Sequence, residues 1–437
     1  MSDYFGKMMR GFPEWLPAAK LQEKRVIDII TKTYESYGYV PIETSAVEKV
    51  GSLATTGDVS KEIFGLHRLA DESAEKDAEF GLHFDLTLPL ARYTAENAGS
   101  LQFPFKRYQI QKVWRGERPQ KGRYREFYQA DIDIVGDGEL PSHYEAEVVE
   151  VVYSIFNALN IGEFTVRINN RKLLEGYYRE HGITDLNSTL IAVDKIDKIG
   201  RDEVIKLLKE NGLNDKQAEV CVDLAGKKFT LKEGAEFLDS LESSNELLDQ
   251  AKAELKAIFD NLSHLPEGAV IFDLSIARGL DYYTGSVYEC TLKGLEDCGS
   301  VCSGGRYDNL ASKFTKRQLP GVGLSIGLTR LLFLLFESGK LKAEVSSPTQ
   351  AVIVLFDESQ RPEANKKANE MRQSGINTEV SYSARKLQKQ IQHSEKRGAR
   401  FIVLPEQDGN YSMKDLQTGV QEEFDLTKIV ETLKDDA

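Results

Sequence analysis

Two stretches rich in aromatic and β-branched side chains, residues 103 to 114 and 124 to 135, flank a Gly/Pro/Arg-rich segment, and no other feature of the chain restricts its fold so strongly. Strand-like runs on both sides of a turn-forming segment predict a long hairpin. An antiparallel sheet is therefore expected near the centre of the chain. Strand signals return at AVIFDL (269 to 274) and SVYECTL (286 to 292), followed by Gly304-Gly305 and a glycine-rich run at 321 to 327.

Around this hairpin the pattern changes several times. Leu21, Val26, Ile30, Thr33 and Tyr37 recur near helical spacing, and Gly38 closes that helix before the extended Tyr39-Val40-Pro41-Ile42. Residues 172 to 264 read as successive helices rich in Lys, Glu and Leu with little strand signal, so they look like an insertion in one domain. That domain comprises residues 1 to 171 and 265 to 342. After a helix at 328 to 338 and a polar segment, strand and helix patterns alternate through QAVIVLF, 361 to 374, INTEVSY, 384 to 397 and RFIVLP. A separate α/β domain with a largely parallel sheet is expected over 347 to 437.

Composition narrows the class of protein. The 437 residues are 41% hydrophobic and 29% charged, and the longest apolar runs fall short of the ~20 residues a membrane helix needs. The opening MSDYFGKMMRGFPEWLP lacks the continuous apolar core of a secretory signal, so a cytoplasmic enzyme is expected. Four cysteines without a Cys-x-x-Cys pair read as reduced thiols, and six histidines without a His-Glu-x-x-His pair give no protein-held metal. The net charge of -13 argues against indiscriminate binding of nucleic acid. Local charge differs, because Lys106 to Arg125 carry eight Lys/Arg against one acid, Glu117, and Ala384 to Arg400 carry six against one. Either run could be a solvated face. The first is harder to dismiss, since Pro119 and Gly122 set its cations on a turn.

The segment Trp114-Arg115-Gly116-Glu117-Arg118-Pro119-Gln120-Lys121-Gly122-Arg123-Tyr124-Arg125-Glu126-Phe127 pairs a strand-end arginine with a carboxylate two residues on and a basic loop. Guanidinium groups bind phosphate through paired donors and stack on bases, so such a segment can hold a phosphate, an adenine and an RNA end together. It resembles motif 2 of class II aminoacyl-tRNA synthetases, in the form seen in the histidyl-tRNA synthetase family. That resemblance implies that Arg115 grips the ATP α-phosphate and the substrate carboxylate, that Glu117 meets adenine and Arg123 the nucleotide, and that Gln120 and Lys121 approach the tRNA acceptor end.

Other segments extend the likeness over nearly the whole chain. Gly321-Val322-Gly323-Leu324-Ser325-Ile326-Gly327-Leu328-Thr329-Arg330 resembles class II motif 3, which implies Arg330 at the start of a helix facing the γ-phosphate; the alternative is glycines that merely allow close strand–helix packing. Tyr37-Gly38-Tyr39-Val40-Pro41-Ile42-Glu43-Thr44 resembles motif 1, with Ser45 where the family usually has proline. Ala277-Arg278-Gly279-Leu280-Asp281-Tyr282-Tyr283-Thr284-Gly285 and Ser303-Gly304-Gly305-Arg306-Tyr307-Asp308 are similar to segments peculiar to histidyl-tRNA synthetases. Phe84-Asp85-Leu86-Thr87 resembles the part that holds the substrate ammonium, with aspartate where many bacterial members have glutamate. Gln129 and Asp133, four apart on a strand, share one face.

The resemblance implies a class II fold: an α+β catalytic domain with an antiparallel sheet flanked by helices, a helical insertion and a C-terminal α/β anticodon-binding domain. It implies histidyl-adenylate formation from L-histidine and ATP with Mg²⁺, transfer to tRNA(His), and a homodimer. Arg115, Arg278 and Arg330 would carry catalysis by positioning and charge stabilisation, Arg278 at the α-phosphate. Asp85, Thr87, Gln129, Asp133, Tyr282 and Tyr283 would hold histidine, with Asp133 accepting one ring N–H and the Tyr283 hydroxyl at the other nitrogen. Arg385, Lys389 and Arg397 would meet tRNA. Two rival readings are a silent synthetase-like regulatory subunit of ATP phosphoribosyltransferase and, on the glycine run alone, a dehydrogenase.

Overall fold

The computed structural model of the protein describes residues 8–53, 62–68, 78–277, 282–407 and 409–435. It divides into two compact units, one of Met1–Pro13 with Ile27–Lys340 and one of Glu14–Val26 with Leu341–Ala437. In chain order the elements begin with α1 (Pro17–Ser36), β1 (Val40–Pro41), β2 (Val47–Lys49), α2 (Val50–Leu53), β3 (Gly65–Leu66), β4 (Phe80–Leu82) and α3 (Thr87–Asn97). The hairpin β5 (Phe105–Trp114) and β6 (Glu126–Val135) is followed by α4 (His143–Ala158) and β7 (Phe164–Asn170). Helices then run from α5 (Arg171–Glu180) to α11 (Glu246–Leu262), broken by β8 (Lys228–Thr230). The strands β9 (Val270–Asp273), β10 (Ser286–Leu292), β11 (Cys302–Tyr307) and β12 (Gly321–Ile326) lead into α12 (Leu328–Glu337).

Nine of these strands form one sheet in the order β1-β5-β6-β12-β11-β10-β7-β9-β8. From β5 to β7 every pairing is antiparallel, and parallel pairs join β1 to β5 and β7 to β9. The expected hairpin therefore lies beside a glycine-rich run that is itself a central strand. Segment 172 to 264 is helical apart from β8, which pairs with β9 and extends the sheet.

Period-two alternation gives this sheet two chemically different faces. On β6, Ala130, Ile132 and Ile134 are buried on one side, while Gln129, Asp131 and Asp133 point to the other. The apolar side takes α4, whose Val148, Val149, Val151, Val152, Ile155 and Phe156 are buried. Each such side chain contributes roughly 1.5–3 kcal/mol relative to exposure. The Tyr288 hydroxyl from β10 donates to Glu145 O of α4 at 3.2 Å, and the Tyr34 hydroxyl from α1 donates to Ala130 O at 3.0 Å. The opposite side of the sheet is left for chemistry.

The second unit carries a five-stranded sheet. Its elements are β13 (Ala351–Ile353), α13 (Arg361–Gln373), β14 (Thr378–Val380), α14 (Leu387–Arg397), β15 (Phe401–Pro405), β16 (Tyr411–Asp415), β17 (Gln421–Glu423) and α15 (Leu426–Asp435). The order is β14-β13-β15-β16-β17, parallel over the first three strands and antiparallel over the rest. The sheet is thus mixed and not largely parallel as expected. The antiparallel strands β16 and β17 are rich in Lys, Asp, Gln and Glu, so they carry little apolar signal to be read.

Candidate active site

The polar face of the large sheet can be followed as a register. Across one row lie Gln109, Asp131, Ser325, Ser303, Glu289 and Arg167, drawn from β5, β6, β12, β11, β10 and β7. The next row aligns Arg107, Asp133, Gly323 and Gly305. A Cβ on Gly323 would overlap the Asp133 carboxylate, and one on Gly321 would overlap the Tyr307 ring. Bare strand positions therefore leave room for large polar groups from neighbouring strands. That is the use of the glycine run, and it is neither a phosphate loop nor a strand–helix contact.

Burial decides how this floor behaves. Arg107, fully buried, pairs with Asp133 at 2.5 Å, and the Tyr307 hydroxyl donates to the other Asp133 oxygen at 2.6 Å. Burial pushes Asp133 up to about 6 and Asp131 up to about 7, with the Arg107 charge pulling both back. Asp85 is buried too, and its pKa is raised by that burial. One Asp85 oxygen accepts the Leu88 N–H at the start of α3, and the other accepts the Tyr282 hydroxyl at 3.1 Å. Tyr282 packs edge to face on Tyr283 at 5.0 Å, and Thr87 lies within hydrogen-bond reach of Tyr282. Of the six residues expected around histidine, Asp85, Thr87, Tyr282 and Tyr283 adjoin one another and Asp133 reaches them through Tyr307, whereas Gln129 bonds Ser325 farther along β6; Asp85 and Asp133 already serve protein donors.

Beside this cluster opens a cavity of about 220 Å³, lined among others by Arg115, Glu117, Arg123, Gln129, Ser325 and Arg330. All four ATP-directed residues within the described chain meet there; Arg278 lies outside the described residues. Arg115, just past the end of β5, donates to Phe84 O at 3.0 Å and lies over the Phe127 ring at 5.0 Å. Arg123 pairs with Glu117 at 3.2 Å. Arg330, on the first turn of α12, donates to Cys298 O, and its Nε is buried without a partner among the described residues. Burial and the nearby Arg123 charge lower its pKa. Facing guanidinium groups with one carboxylate among them favour an anion.

The hairpin tip behaves as expected in part. Gln120 and Arg123 exchange both backbone hydrogen bonds across Lys121-Gly122, and Lys121 is exposed beside Glu337 at 2.7 Å. Of the basic run at 106 to 125, however, Arg107 is interior, Lys106 pairs with Glu147 and Lys112 with Glu126. Counting charge along a strand overstates what faces solvent, because half of its positions point inward. The floor residues that sequence reasoning passed over are Arg107, Asp131 and Tyr307. Asp131 was legible, since it lies midway between Gln129 and Asp133 in a period-two pattern.

In the second unit, Arg385 and Lys389 line a cavity of about 300 Å³ with Tyr382, His393 and Lys396. Tyr382 is 58% exposed, with the Arg385 guanidinium 4.5 Å from its ring centre. Arg397 is committed elsewhere, to Glu379 at 2.6 Å and Ser347 Oγ at 3.1 Å.

Known proteins resemble this chain over nearly its whole length. The family model for histidyl-tRNA synthetase matches residues 11–331, and that for an anticodon binding domain matches residues 350–436. The chain is 48% identical over 420 residues to a histidine–tRNA ligase from Bifidobacterium longum subsp. infantis, covering 92% of this chain and 90% of that one. It is 45% identical over 419 residues to the histidine–tRNA ligase of Thermobifida fusca, covering 95% and 96%. A crystal structure of a histidyl-tRNA synthetase from Nostoc sp. PCC 7120 superposes with a TM-score of 0.89 at 37% identity, covering 99% of each chain.

Proposed function

The chain belongs to the histidyl-tRNA synthetase family, and from that premise we propose how its residues divide the work of a class II histidine–tRNA ligase. The reaction joins L-histidine to tRNA(His) through histidyl-adenylate, with release of diphosphate and then AMP. The observation that carries the assignment is the arginine-lined cavity opening onto a floor of buried acceptors. The first suits a polyphosphate and the second a small ligand rich in N–H donors.

Activation needs no general base, because the histidine carboxylate is already ionised and attacks the α-phosphorus in line. The protein's task is positioning and charge stabilisation. Arg115 and Arg278 take the α-phosphate, Arg330 the γ-phosphate, and Glu117 and Arg123 the nucleoside side. Asp85, Thr87, Gln129, Asp133, Tyr282 and Tyr283 hold histidine. A site built on hydrogen bonds can discriminate by ~10⁴ to 10⁵ against analogues that leave its groups unpaired. The cavity's donors suit phosphate oxygens, and family resemblance assigns Mg²⁺ to the nucleotide substrate.

Residues 1 to 171 with 265 to 342 form the catalytic domain, 172 to 264 its insertion, and 347 to 437 the anticodon domain. Among the described residues no helix is long and apolar enough to cross a membrane. A homodimer and a cytoplasmic location belong to the same proposal, on family resemblance.

The decisive assay is histidine-dependent exchange of labelled pyrophosphate into ATP. Exchange supports the assignment. Histidine binding without exchange would favour the regulatory-subunit reading, which the similarity to ligases over nearly the full chain already disfavours.

For the tRNA contacts, Gln120 and Lys121 approach the acceptor end, and Arg385 and Lys389 face the anticodon arm. Changing both Arg385 and Lys389 to glutamate weakens tRNA binding and reduces its salt slope by about 2, without altering pyrophosphate exchange. Arg397→Glu destabilises the unit as well, because it places like charge against Glu379. Filter binding across a salt series with thermal melting separates the two; an unchanged slope in the double variant would leave those cations as a merely solvated face.

A further inference from the structure

Asp131 forms no direct ion pair among the described residues. It is 2% exposed, and its Oδ1 is buried without a hydrogen-bond partner among the described residues. Directly across the register stands Ser325, on the same face of the sheet, and its hydroxyl pulls the carboxyl pKa down against the effect of burial. The same hydroxyl oxygen accepts a hydrogen bond from Nε2 of Gln129, whose Oε1 is buried with no donor among the described residues. Three side chains from two strands therefore stand in the order Gln129, Ser325, Asp131, the first two joined by a hydrogen bond and the last two facing each other across the register.

The chemistry of the middle group gives this chain a direction. A serine hydroxyl has one proton, a carboxylate only accepts, and an amide has a donating and an accepting end. While Asp131 is ionised, the single Ser325 proton goes to it. The Ser325 oxygen then has only lone pairs to offer Gln129, so it selects the amide N–H₂ and leaves Oε1 pointing away from Ser325. A neutral donor at position 131 would reverse the order: it would donate to Ser325, Ser325 would donate to Oε1, and the amide N–H₂ would face the ligand.

We propose that Asp131 is a positioning residue which, through Ser325, fixes the Gln129 amide so that its oxygen and not its nitrogen meets the ammonium group of histidine. The proposal rests on the assignment of Gln129 to the histidine site. An orphaned buried acceptor is costly to keep, and a cationic N–H donor is the ligand group that recovers most of that cost. Without Asp131 the amide is free to present its own N–H₂ to that cation.

The test uses steady-state kinetics of pyrophosphate exchange by the full-length enzyme at pH about 8.5, above the value near 7 to which burial pushes Asp131. Asp131→Asn raises the KM for histidine about 10- to 100-fold, the loss expected for one hydrogen bond to a charged group. The KM for ATP, and kcat at saturating histidine, stay within about threefold. Ser325→Ala removes the link and has a smaller effect in the same direction. Gln129→Glu supplies the rescue. A carboxylate at position 129 accepts from Ser325 with one oxygen and from the ammonium with the other, so Asp131→Asn with Gln129→Glu recovers histidine affinity that Asp131→Asn alone has lost.

No recovery in the double variant, with both proteins folded by melting temperature, overturns the relay and leaves Asp131 a packing residue. Unchanged histidine KM in Asp131→Asn also overturns it, provided Gln129→Ala raises that KM. If Gln129→Ala leaves the histidine KM unchanged, the histidine assignment of Gln129 is what has failed.

Discussion

Replacing Arg330 with alanine lowers histidine-dependent pyrophosphate exchange by about 10² to 10³, the usual cost of removing one preorganised group from developing charge. The fold has little to lose by this change, since the side chain's contact within the described protein is a hydrogen bond to Cys298 O and no carboxylate pairs with it. The side chain is held in a buried position where Arg123 opposes its charge. A cation kept under like-charge repulsion, with no direct ion pair among the described residues, suits an anionic ligand. Arg330→Lys recovers a minority of the rate, because an ammonium cannot reproduce the paired donors of a guanidinium. Exchange within threefold of the parent in the alanine variant would remove Arg330 from the phosphate assignment.

Arg107→Ala produces the largest loss of stability, about 3–5 kcal/mol near pH 8, because it strands two buried carboxylates. The pH dependence has a definite sign. A carboxyl whose folded pKa lies above its unfolded value adds stability that is fully present below the unfolded value and fades as pH rises through the folded one. For Asp133 and Asp131 that fading spans about 6 to 7, from an ordinary value of 3.8. Arg107 is the cation that limits the penalty above this range. Its removal is therefore most damaging at alkaline pH and less so near pH 5, where both acids hold their protons. Melting temperatures of parent and variant across pH 5 to 8.5 check this, and a deficit that does not grow with pH would contradict the electrostatic account.

How much of this was legible in the sequence depended on whether a residue's neighbours in space are also its neighbours in the chain. The β5–β6 hairpin and the placement of Arg115, Glu117 and Arg123 around one cavity follow from local patterns, since strand alternation and turn residues are short-range signals. Arg330 lines the same cavity from the first turn of α12, a placement that no local pattern around it indicates. Arg107 is a second such case: nothing within a few residues of it indicates that Asp133 and Tyr307 are its surroundings, so it reads as one more surface cation. The same holds for Gly321 and Gly323, whose purpose is visible only once Tyr307 and Asp133 lie against them. In the second unit, Arg397 belongs to a basic stretch by sequence and to Glu379 in space. Pairings across the sheet carry the site, and only a resemblance supplies them in advance.

The stacking of Trp114 on His83, at 5.6 Å between rings, has a practical consequence for observing the molecule. The chain holds two tryptophans, and the compact units take one each: Trp114 adjoins Arg115 in the first, and Trp15 belongs to the second. Intrinsic fluorescence is consequently a two-channel signal without any label. With Trp15→Phe, the remaining emission comes from an indole whose Nε1 donates to Glu126 at 2.9 Å, on the strand that carries Gln129, Asp131 and Asp133. With Trp114→Phe, it comes from Trp15, which groups with the second unit, so the two variants together can follow changes around each indole separately in one stopped-flow experiment.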